Sequence, residues 1–154
     1  MKPVISRIVQ ALVVVSFVAA MTAVVAPAAR ADPPPPCYGS GCNGKDPQAT
    51  GCSGSFAYTV ASFTVDYGYI RVMLRYSDWC HANWTTVSIQ QYAPADGGEF
   101  WVENTYGNKQ YYGFDVGQYS TFWTNMVNGI PKARSCEFDN VTYNGTNPGC
   151  TGWY

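Results

Sequence analysis

The stretch YIRVMLRYSDWCHANWTTVSIQQY, residues 69–92, decides how this chain is read. From Tyr69 to Tyr76 the residues alternate. Ile70, Val72, Leu74 and Tyr76 fall on one side of an extended chain, and Tyr69, Arg71, Met73 and Arg75 on the other. A period of two marks a half-buried β-strand. The alternation resumes from Trp84 to Tyr92, where Val87 and Ile89 oppose Ser88 and Gln90. Between the two runs Cys80 stands directly before His81, the only histidine in the chain. That juxtaposition raises a choice between a thiol with its base and a disulfide with an incidental neighbour.

Working outward, the texture from Phe56 onward stays β, rich in β-branched and aromatic residues and punctuated by Gly, Asn-Gly and Asp-Gly turns. Residues 56–65 change phase, with Phe56, Tyr58 and Val60 followed by Ala61, Phe63 and Val65. The shift predicts either burial on both faces or a bulge near Val60. Asp66-Tyr67-Gly68 reads as a turn, and Asp96-Gly97-Gly98 leads into a strand at 100–102. Further strands are expected at 110–114, 119–127 and 134–138. YNGTNPG (143–149) reads as a turn-rich loop. The spacing of Phe122 and Met126 allows one short helical turn, and no other helix is expected after the N-terminal segment. The fold class is all-β, a small disulfide-stapled antiparallel barrel or sandwich.

The N-terminus has the form of a targeting segment. Lys2 and Arg7 precede a nearly uninterrupted apolar run over 8–26, then Pro27 and Ala29-Arg30-Ala31. This small-x-small pattern predicts signal-peptide cleavage between Ala31 and Asp32. The alternative, a retained anchor, requires the apolar run to span a bilayer. The organisation expected is therefore a signal peptide at 1–31, a Pro/Gly/Cys-rich lead at 32–55 and an all-β domain at 56–154 stapled to that lead. Pro33 to Pro36 should form an extended polyproline spacer. The product is expected to be secreted, a monomer, and free of the membrane after cleavage.

Cleavage would remove three of the nine basic residues and none of the ten acidic ones, leaving a net charge of −4. Phosphate neutralisation by Lys and Arg drives most nucleic-acid affinity, so nucleic acid is excluded as a partner. Anionic membrane surfaces are disfavoured for the same reason.

All six cysteines, Cys37, Cys42, Cys52, Cys80, Cys136 and Cys150, lie beyond the targeting segment. An even count in an exported chain reads as a disulfide framework whose connectivity the sequence leaves open. Pairing of the four early cysteines among themselves, and of Cys136 with Cys150, is the preferred arrangement. Zinc is set aside because no C-x-x-C knuckle is present, and no metal or cofactor is expected.

A catalytic thiol needs a base in reach and a third group to orient that base. Neighbours on a strand diverge to opposite faces, so Cys80 and His81 make a poor pair. No G-x-S-x-G elbow occurs. Glu99 and Glu103 share a strand face and could in principle serve glycoside hydrolysis, but charges on a strand that discourage aggregation explain them more simply. Asp46 could contribute to a calcium site, yet lacks accompanying carboxylates and reads better as an Asp-Pro turn starter. Aromatic residues are the compositional excess, 23 beyond the targeting segment. Rings that flank Gly and Asn, such as Trp101, Tyr111, Tyr112 and Trp123, offer stacking faces for a sugar or peptide. The competing explanation is core filling and cross-strand pairing.

The combination of CYGSGCNGKDPQATGC (37–52) with LRYSDWCHANW (74–84) resembles the YjfA-like domain-of-unknown-function family of secreted bacterial proteins. The residues that carry the resemblance are Cys37, Gly39, Cys42, Gly44, Lys45, Asp46, Pro47, Cys52, Leu74, Arg75, Tyr76, Ser77, Cys80 and Trp84. FWTNMVNG and the terminal TGWY add to it. The resemblance implies no established activity. It also implies Arg where this chain has His81, which weakens His81 as a general base. The reading is a secreted binding or cell-surface interaction module for an extracellular ligand, either cell-wall glycan or protein. Arg75, Tyr76, Trp101, Tyr111 and Tyr112 are the candidate binding residues. Arg75 has a structural alternative, pairing with Asp78 or with carbonyls of the 37–52 lead. A small hydrolase, or an inhibitor or toxin using the loop at 144–149, is the alternative function.

Overall fold

Alternating burial turns the sequence period into strands. In β2 (Ile70–Ser77), Ile70, Val72 and Leu74 are completely buried, whereas Arg71 is exposed. β1 (Ala57–Val65) pairs antiparallel with β2, and the register shifts between Thr59 and Ala61. Val60 is the extra residue, so the change of phase is a β-bulge, after which Ala61, Phe63 and Val65 turn towards the core. β3 (Ala82–Ile89) pairs with the other side of β2. The computed structural model describes residues 33–91, 97–139 and 149–154. Residues 1–32, with the expected cleavage site at Ala31 and Asp32, and the 144–149 loop apart from Gly149, lie outside the described residues.

The remaining strands are β4 (Gly98–Asn104), β5 (Lys109–Phe114), β6 (Thr121–Trp123), β7 (Val127–Asn128), β8 (Ala133–Asp139) and β9 (Gly149–Cys150). They divide into two antiparallel sheets. One has the order β1-β2-β3-β6, with β7 also paired to β3; the other has the order β5-β4-β8-β9. Among the described residues the strands do not close into a barrel. The two sheets share their interior: Val72 and Val87 from the first pack with Phe100 and Phe114 from the second. Leu74 likewise packs with Val102 and Ala133.

The expected strand at 119–127 is two strands with a break. Thr124 is completely buried, its N–H donates to the Thr85 carbonyl, and its hydroxyl accepts from the Thr85 N–H. Met126 then exchanges backbone hydrogen bonds with the lead, donating to Lys45 and leaving its carbonyl to Gly44, both at 2.9 Å. The chain thus leaves β3 to hold the lead, and no helical turn forms around Phe122 and Met126.

The lead is part of the packed structure. It begins with a 3₁₀ turn at Gly39–Cys42, and the Gly39 N–H donates to the Cys80 carbonyl at 2.8 Å. Cys37 pairs with Cys42, Cys52 with Cys80, and Cys136 with Cys150. The first two bridges sit in one cluster with Trp84 and Met126.

Candidate functional site

β5 and β6 are edge strands of different sheets, and a cleft of about 530 Å³ opens where they approach one another. Tyr112 points inward from β5, stacked between Phe100 at 5.3 Å and Phe122 at 5.6 Å. Tyr111, its neighbour on the strand, points to the other face and is 54% exposed. Phe122 and Trp123 of β6 line the same cleft, with Asn125 two residues further along the chain. The volume lies in the range of small-ligand sites, roughly 300–1,000 Å³.

Asp46 fixes the Trp123 wall. One carboxylate oxygen accepts from the N–H groups of Gln48 and Ala49 at 2.7 and 2.9 Å, which builds the turn after Asp46. The other accepts from the Trp123 indole N–H at 3.0 Å. Burial opposes ionisation, but the bonds from Ala49, Trp123 and Gln48 outweigh it and hold the carboxyl below its ordinary value. The cleft therefore combines ring faces with one anchored anionic acceptor.

A second cleft of about 220 Å³ lies between the lead and the outer face of the first sheet. Gln48 and Ser53 line it from the lead, and Arg75 and Trp84 from β2 and β3. Thr121 and Trp123 line both clefts. The half-buried Arg75 guanidinium donates to the Thr59 hydroxyl at 2.8 Å and the Ala57 carbonyl at 3.3 Å. Its partners are therefore on β1, neither Asp78 nor the 37–52 lead. Both are neutral, and no carboxylate of the described residues forms an ion pair with it.

The five candidate binding residues do not form one site. Tyr111 and Tyr112 line the large cleft, and Arg75 lines the smaller one beside it. Trp101 is only 7% exposed, covered by Lys109, whose ammonium sits 4.1 Å above its ring and 4.6 Å above that of Tyr111. Tyr76 lines a separate cleft with Tyr58, Asn83 and Tyr154. Burial first, and Asp78 next, raise the pKa of the Tyr76 hydroxyl, which keeps it a neutral donor. Sequence reasoning had no signal for Phe122 or Asn125 as lining residues, or for Asp46 as the partner of Trp123, 77 positions away.

The catalytic alternatives find little geometric support. The Cys80 sulfur is bonded to Cys52. His81 closes the turn between β2 and β3 in the left-handed region, at φ 49°, and stacks on Tyr38 at 4.5 Å. Glu103 is ion-paired with Arg134 at 2.6 Å and Lys109 at 3.7 Å, while Glu99 is exposed. The sulfurs of Cys37, Cys42, Cys52 and Cys80 lie within 4.8 Å of one another. Metal ligation requires thiolates, and these sulfurs are paired in bridges.

Fold and site together define a disulfide-tied, two-sheet β domain with an aromatic cleft between sheet edges. The family described as "Protein of unknown function (DUF2690)" matches residues 40–138, and the chain belongs to that family. The match includes the lead from Ser40 onward, the bridge between Cys52 and Cys80, and the two clefts that share Trp123. No curated protein and no solved structure matches the chain.

Proposed function

We propose that this protein is a secreted binding module, released by cleavage between Ala31 and Asp32, that holds cell-wall glycan in the cleft between β5 and β6. Within its family it would belong with the YjfA-like secreted proteins that its cysteine pattern resembles. Three bridges suit an oxidising compartment, and no helix of the described residues is long and apolar enough to cross a membrane.

The observation that carries the reading is that Tyr111, Tyr112 and Trp123 line one cleft together with Asp46, whose carboxylate accepts from the Trp123 indole N–H. Sugar rings present apolar C–H faces and hydroxyl edges. The first stack on aromatic rings, and the second need fixed polar partners. Asp46 and Asn125 supply those partners. Binding, with no bond broken, is the activity this arrangement supports.

The test is a pull-down on purified cell-wall glycan, comparing wild type with Tyr111→Ala. The exposed Tyr111 ring can be removed with little effect on the core. The variant should bind about tenfold more weakly, a loss of about 1.4 kcal/mol. Failure of the wild type to bind, or unchanged binding by the variant, would reject glycan recognition at this cleft.

A further inference from the structure

We infer that the ligand is a glycan chain running from the aromatic cleft past Trp123 into the smaller cleft, where Arg75 takes an isolated carboxylate of that chain. The inference rests on the glycan reading above and specifies the chemistry of the ligand.

The smaller cleft, at about 220 Å³, falls below the usual range of a self-sufficient ligand site, roughly 300–1,000 Å³. It shares Thr121 and Trp123 with the larger one. The two are subsites on either side of one tryptophan, an arrangement suited to a chain of at least two units. Polar side chains of Gln48, Ser53 and Thr86 line the smaller subsite.

The charge at that subsite is unbalanced. Arg75 is half-buried, and its partners, the Thr59 hydroxyl and the Ala57 carbonyl, are neutral. A guanidinium carries five donors in a planar fork that matches a carboxylate. Two of its nitrogens already hold β1, and the rest of the fork remains for a ligand. On the other side of Trp123 stands the ionised Asp46, which repels an anion and accepts from sugar hydroxyls. A guanidinium lining one cleft and a carboxylate lining the other, with Trp123 shared between them, selects a neutral unit next to an acidic one. A densely charged polyanion would meet Asp46 and an acidic chain.

The test is titration calorimetry with oligosaccharides of equal length. One is a neutral N-acetylglucosamine oligomer, the second carries a lactyl carboxylate on alternate units, and the third has alternate uronic acids. Wild type should bind at least one carboxylated oligomer tenfold or more tightly than the neutral one, and the preferred acid identifies the source of the carboxylate. Arg75→Gln should abolish that advantage. Because Arg75 also holds β1, Gln48→Glu provides a second arm. It places an opposing charge in the subsite from an exposed position and leaves the Arg75 bonds intact, and it should also erase the advantage. Tyr111→Ala should weaken all three oligomers alike. Equal binding of neutral and acidic oligomers by wild type, or an advantage that survives both charge variants, would overturn the role of Arg75 while leaving the aromatic cleft standing. If no oligomer binds, the glycan reading and the Arg75 inference fall together.

Discussion

Asp46 shows how one side chain serves both the fold and the site. Its first oxygen shapes the turn of the lead, and its second holds the Trp123 indole. The lowered pKa sets the sign of its pH dependence. In the unfolded chain the carboxyl titrates near its ordinary value of 3.8; in the folded protein it titrates below that. Its contribution to stability is therefore fully present above 3.8 and is lost as the pH falls through the lowered folded value. Asp46→Asn should flatten this part of the acid-denaturation profile, measured by fluorescence of the tryptophans, and leave the neutral-to-alkaline limb unchanged in shape. An acid limb identical to wild type would show that the carboxylate charge is not used. The sequence identified Asp46 as a turn starter, because Asp-Pro is local chemistry. Its bond to Trp123 joins residues far apart in the chain and left no local trace.

At the scale of elements, local pattern went a long way. The phase change at Val60 is a bulge, and the alternation through Ile70, Val72 and Leu74 is the buried face of β2. The 119–127 segment departs from its pattern because Thr124 bonds inward to Thr85 and Met126 turns to the lead. Thr85 also joins the two sheets. Its hydroxyl lies 2.7 Å from the Trp101 carbonyl on β4 and 2.6 Å from the Ser135 hydroxyl on β8, and both Thr85 and Ser135 are completely buried. Thr85→Val keeps the shape and strands those partners without a hydroxyl. Burial of an unsatisfied polar group costs about 1–3 kcal/mol, so urea denaturation should show a loss of that size. A loss well under 1 kcal/mol would mean that the inter-sheet hydroxyl pair is dispensable. The alternation through Val87 and Ile89 already puts Thr85, and not Thr86, on the inward face; nothing local shows that its hydroxyl meets Trp101 and Ser135.

For the whole molecule the bridge between Cys52 and Cys80 matters most, since it fixes the lead against the turn between β2 and β3. It closes a separation of 28 residues, and loops of that order lose about 3 kcal/mol of stabilisation when opened. The double variant Cys52→Ser, Cys80→Ser should lose about that amount in guanidinium denaturation. On the proposed glycan reading it should also bind more weakly, because Gln48 and Ser53 line the smaller cleft. Alkylation of the unreduced wild type followed by mass spectrometry should find no reactive thiol. A modified Cys80 would return the Cys80-His81 pair to consideration as chemistry.

What the sequence determined by itself is what short-range physics encodes. Period-two alternation makes strands, a phase change makes a bulge, Asp-Pro makes a turn, and an even set of cysteines predicts bridges. Tyr111 and Tyr112 were also legible as candidates, because a pair of rings beside glycine is a local feature. Only the tertiary structure decided what those rings meet. The clefts are assembled from β5, β6, β2, β3 and the lead, elements distant in the chain that come together because two sheets bury a common core. That packing separates Tyr76 from Tyr111, covers Trp101 with Lys109, and puts Asp46 and Arg75 in two clefts that share Trp123. Contacts of this kind depend on the sum of long-range burial, which no local pattern carries.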